Sequence, residues 1–117
     1  MAIRIPWDIY EAVILLDSYL KVRNDSATKL REVKRVSQEL RKKAVSSGIE
    51  IDDIFRNING ISFQMQSMAT AFEGENRGKD ASSLFIEIVK LYREDNDSYQ
   101  RILEEAKKMI NGSANQK

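Results

Sequence analysis

The chain has one proline, at position 6 of 117, so no later residue is barred from an α-helix by a locked φ and a missing N–H. Beyond it the apolar residues recur at three- and four-residue spacing, and the strict alternation of a half-buried strand is rare. These two features predict an all-α fold, about five helices in one orthogonal bundle with a helix-turn-helix-like pair. A chain of this length is expected to form one domain, residues 1–112, with residues 113–117 a frayed tail. A domain of that size buries roughly two-thirds of its unfolded surface, enough for a core without a covalent staple.

Composition removes several functions. Without cysteine there is no disulfide framework, thiolate metal site or thiol nucleophile, as expected of a protein kept in a reducing cytoplasm. Without histidine the usual general base and the usual imidazole ligand are missing as well. No phosphate loop, dinucleotide fingerprint or nucleophile elbow is present. The paired acids Asp52 and Asp53 precede a helical turn, where a capping role explains them better than a metal does. No catalytic residue, metal or cofactor is therefore expected. The longest apolar run, residues 12–16, is far short of the roughly 20 residues a membrane span needs.

The first helix is expected over residues 8–23, opened by Asp8 with Glu11 three residues on, and its apolar stripe is wide enough to make it central. A second is expected over 27–47, ending at Gly48, with Leu30, Val33, Val36, Leu40 and Ala44 inward. A short turn over 54–57 and a corner at 57–60 then lead into a third helix running to about Phe72. Its inward face is Ile61, Met65, Met68 and Phe72, where methionine serves as adaptable core. Residues 73–80 read as a loop, and two helices with balanced surface charge follow at about 81–94 and 97–110.

Charge is distributed unevenly. Nine Lys or Arg face three acids between Lys21 and Lys43, in a chain of net charge only +1. On the second helix Arg31, Arg35, Gln38 and Lys42 fall in a narrow arc opposite the inward stripe, with Lys34 and Arg41 beside it. A merely solvated face would interleave its signs, and this arc has almost no acid. On the third helix the outward arc, Ser62, Phe63, Gln66, Ser67 and Thr70, is polar and uncharged. Such side chains can hydrogen-bond base edges, while a cationic helix holds phosphates.

The run Phe-Arg-Asn-Ile-Asn-Gly-Ile at 55–61 carries a resemblance, together with Trp7, Glu-Ala-Val-Ile-Leu-Leu-Asp at 11–17, Tyr19, Ser37, Leu40 and Arg41. Across residues 7–72 the chain resembles the helical module that precedes the nuclease region in some bacterial HNH-type restriction endonucleases and related mobile-element proteins. The resemblance implies a part in DNA recognition, with Arg56, Asn57, Asn59 and Gly60 at the matching positions. Two departures stand out: the chain has no histidine for an HNH centre, and Ile58 occupies a place often taken by proline.

The sequence thus leads to a non-catalytic DNA-binding or accessory module of a prokaryotic restriction, defence or mobile-element system. Its partner would be double-stranded DNA, contacted through Arg31, Arg35, Gln38, Lys42, Arg56, Asn57, Asn59, Ser62, Gln66 and Thr70. The competing reading is a protein-interaction adaptor, or a small inhibitor or regulator that binds a nuclease, using the basic second helix and the Met-rich third helix.

Overall fold

A computed structural model describes residues 5–74 and 82–111, which form five helices. These are α1 (Ile9–Arg23), α2 (Lys29–Ser46), α3 (Ile58–Glu73), α4 (Ser83–Glu94) and α5 (Asn96–Asn111). The fold is all-α, and no described residue lies in a strand. None of the described helices is long and apolar enough to cross a membrane.

The centre of the bundle follows from α1. Its residues 12 to 16 are all buried, and five consecutive positions at about 100° each sweep the whole circumference. Only a helix surrounded by others can satisfy that pattern, and α1 packs against all four of the rest. It starts at the expected capping box: Asp8 accepts from the Glu11 N–H at 2.8 Å, and Glu11 accepts from the Asp8 N–H at 3.1 Å.

The other helices are capped by polar side chains as well, and Thr28 and Ser82 set the starts of α2 and α4 about two residues later than the spacing suggested. Thr28, Asn57 and Ser82 accept from backbone N–H groups three residues ahead in α2, α3 and α4. Asp95 holds the first turn of α5 through the Ser98 N–H and hydroxyl. Asp52 Oδ1 accepts from the Ile54 and Phe55 N–H groups, the capping role expected of it. The core is aliphatic between α1 and α2 and aromatic toward α4 and α5. There Trp7 meets Phe85 edge-on with centroids 5.6 Å apart, and Tyr92 meets Tyr99 at 5.0 Å. The buried Tyr99 hydroxyl donates to the Val13 carbonyl at 3.3 Å, and burial pushes its pKa well above the ordinary tyrosine value.

Three local expectations are corrected. Leu30 is not inward but 62% exposed: it lies in the first turn of α2, where residues 28–31 are all exposed, so the neighbouring helices cover the stripe only from Glu32 onward. The third helix begins at Ile58, not after the corner, so Gly60 lies inside its first turn without a positive φ. The left-handed residue at the corner is Arg56, at φ +48°. Gly48 and Gly74 do have positive φ, as their places after α2 and α3 require. Most of the expected 73–80 loop and the 113–117 tail lie outside the described residues.

Candidate nucleic-acid interface

The outer face of α2 presents Arg31, Lys34, Gln38 and Lys42, all exposed. Their helical angles span about 80°. Among the described residues no ion pair or side-chain hydrogen bond engages Arg31, Lys34 or Lys42. The cations on either side of that arc are tied down: Lys43 meets Asp8 at 3.1 Å, and Arg41 donates to the carbonyls of Asp52 and Phe55. What remains free is a narrow, acid-free cationic stripe along one helix. Lys34 belongs to it, and its angular distance of about 40° from Gln38 was readable from the spacing alone.

Arg35 stands apart from this stripe. Its Nη2 donates to Glu32 at 2.6 Å and its Nη1 to both oxygens of Glu39 at 2.8 Å. The expectation of a face nearly free of compensating acids fails here, since Glu32 and Glu39 sit three residues before and four after, the spacings that bring side chains together on a helix. Glu32 is buried and also accepts from the Ser18 hydroxyl at 2.8 Å. Burial alone would raise its pKa, but the hydrogen bonds from Arg35 and Ser18 hold it below the usual carboxylate value.

At the corner between α2 and α3, Arg56 points inward rather than toward solvent. Its guanidinium bonds Glu11 at 2.8 and 3.0 Å and the carbonyls of Ile5 and Pro6 at 3.1 and 3.3 Å. It also lies over the rings of Phe55 and Trp7, with centroid distances of 4.5 and 4.9 Å. Its carbonyl accepts from the Ser37 hydroxyl at 2.7 Å. The Asn57 side chain is used by the Gly60 N–H as the α3 cap, and Asn59 is exposed. The motif at 55–61 is therefore the joint that fastens α3 to the start of α1 and the middle of α2.

The outward arc of α3 is only partly open. Gln66 and Phe63 are exposed, Ser62 and Thr70 are half-buried, and Ser67 is buried. The Thr70 hydroxyl oxygen is enclosed and finds no hydrogen-bond partner among the described residues. Helices α2 and α3 pack against each other, but the connector between Ser46 and Ile58 is residues 47–57. That is longer than the turn of about three or four residues in DNA-binding helix-turn-helix motifs. The exposed members of the site are thus Arg31, Lys34, Gln38 and Lys42 on α2 with Asn59 and Gln66 on α3.

Comparison with protein-family models, with curated proteins and with solved structures finds no match to this chain.

Proposed function

We propose that this protein is a non-catalytic module that binds duplex nucleic acid through the outer face of α2, with α3 beside it offering hydrogen bonds to base edges. The observation that carries this reading is the stripe of Arg31, Lys34 and Lys42, three exposed cations that engage no carboxylate among the described residues. Unpaired, aligned cations gain most from a polyanion, because they neutralise phosphates and release condensed counterions. Gln38 within the stripe and Gln66 on α3 supply uncharged donors and acceptors of the kind that discriminate bases. The setting in a bacterial restriction, defence or mobile-element system, and in the cytoplasm, belongs to the same proposal and rests on the resemblance at 55–61 alone.

The test is binding of a fluorescent duplex of mixed sequence, titrated at several salt concentrations, with the wild type and an Arg31→Ala/Lys34→Ala variant. Both side chains are exposed, so the fold should survive. The slope of log affinity against log salt should shrink by about 0.9 for each lost phosphate contact, close to two units for the pair. An unchanged slope would overturn the reading.

A further inference from the structure

We infer that Asn59 is a self-modification site, a latent deamidation centre that the cap of α3 holds inactive. Asn59 is followed by Gly60, and asparagine is thermolabile because the next backbone nitrogen can attack its side-chain amide. Glycine hinders that attack least, since it has no Cβ and the greatest backbone freedom. Asn59 is exposed, and among the described residues no hydrogen bond holds its side-chain amide. Asn57 Oδ1 lies 3.0 Å from where a Gly60 Cβ would stand. Beyond its chain neighbours and its own helix backbone, nothing else lies within 4 Å of that point, so there is room for ring closure. Water is the only reagent needed. The Gly60 nitrogen loses its proton and bonds to Asn59 Cγ, the Cγ–Nδ2 bond breaks, and Nδ2 takes up a proton and leaves as ammonia. Water then opens the succinimide at either carbonyl, leaving aspartate or isoaspartate at position 59.

The place of the dipeptide in α3 restrains this reaction. Asn57 is the N-cap, so Gly60 lies in the first turn, where backbone N–H groups have no carbonyl partner within the helix. The Gly60 N–H donates instead to Asn57 Oδ1 at 2.8 Å, which occupies the attacking nitrogen. Ring closure also needs the Asn59 Cβ and the Gly60 nitrogen eclipsed about the Cα–C bond, an arrangement that a helical ψ does not provide. Fraying of the first turn releases both restraints, and a glycine there makes fraying easier than any residue but proline would. The cap therefore sets the rate. The product places a negative charge in the first turn, where the helix tolerates it, and takes the net charge from +1 to zero. If α3 faces nucleic acid, that charge opposes phosphate; this consequence rests on the proposed function, whereas the chemistry does not.

Incubating the full chain without nucleic acid at mildly alkaline pH, and mapping its peptides by mass spectrometry, reads conversion at position 59 directly and independently of any duplex binding. In guanidinium chloride the unfolded chain gives the unrestrained rate, and in native buffer the rate should be lower by at least about tenfold. Asn57→Ala should raise the native rate about fivefold, the shift in fraying that loss of an N-cap brings, while Asn57→Asp still caps and should leave it unchanged. Ser82→Ala removes the corresponding cap from α4 and should leave position 59 at the wild-type rate. Equal rates in the folded and unfolded chain would overturn the inference, as would an Asn57→Ala rate no faster than wild type. So would equal acceleration by Ser82→Ala, which would trace the conversion to global unfolding instead of the α3 cap.

Discussion

The Arg56 guanidinium closes on the Glu11 carboxylate, Nε to Oε2 at 2.8 Å and Nη2 to Oε1 at 3.0 Å, across 45 residues of sequence. Glu11 is 5% exposed, and the same carboxylate completes the capping box of α1. One bidentate pair therefore joins the start of the central helix to the corner that launches α3. The left-handed backbone of Arg56 is what turns its side chain inward beneath Trp7 and Phe55.

Breaking that pair should be among the most damaging single changes. Arg56→Met leaves a buried carboxylate without its counter-charge and is expected to cost about 3 kcal/mol or more in urea denaturation. Arg56→Gly and Arg56→Ala both remove the guanidinium, but glycine tolerates φ +48° and alanine does not. Glycine should then be the milder change by about 1 kcal/mol. Equal losses would show that the backbone relaxes and that the positive φ carries no strain.

Acid sensitivity should centre on Glu32. Its pKa in the folded state lies below the ordinary 4.5, so it contributes stability that is present above that value and is lost as pH falls through the folded value. Arg35→Met removes a main cause of the depression, so that burial, which acts the opposite way, is opposed only by the Ser18 hydroxyl and Lys21. At neutral pH the variant should be less stable by about 2 kcal/mol. The gap to wild type should narrow steadily below pH 4.5, measured by thermal melts across the acid range. A gap independent of pH would separate Glu32 from the effect.

Gly60 and Asn57 should be energetically coupled. A Cβ at Gly60 would stand 3.0 Å from Asn57 Oδ1, the atom that caps α3. Gly60→Ala gains helix propensity but crowds the cap, and the two effects should nearly cancel, within about 1 kcal/mol. In an Asn57→Ala background the crowding is gone, and the same Gly60→Ala change should stabilise by about 0.5–1 kcal/mol. Additive effects in the double-mutant cycle would exclude the contact.

Base discrimination should reside in Gln66 if α3 reaches a groove. Gln66→Ala should lower affinity for a selected site by about 1–3 kcal/mol and leave binding to random duplex almost untouched. Ser62 and Thr70 are half-buried, so their alanine variants should show up in stability before they show up in sequence preference. A selection that recovers no preferred sequence would confine this surface to phosphate contacts.

Local spacing was enough to establish much of this molecule. The single proline, the helical recurrence of apolar residues, the Asp8–Glu11 capping box and the terminating glycines Gly48 and Gly74 act within a few residues of themselves, and the structure has each where its chemistry places it. The breadth of the apolar surface on α1 likewise announced its central place, because a helix apolar all round must be covered. Tertiary structure decided what each polar side chain is used for. Arg56 reads as an exposed cation in a loop motif and is in fact bound to Glu11, 45 residues away, whereas the pairs of Arg35 with Glu32 and Glu39, three residues before and four after on the same helix, were within reach of local spacing. Leu30 reads as core and lies in water, since only the neighbouring helices settle where a buried stripe ends. Helical period and capping are properties of a short segment of chain. The partner that Arg56 finds depends on which distant residue packing delivers within about 3 Å, and no local pattern encodes that.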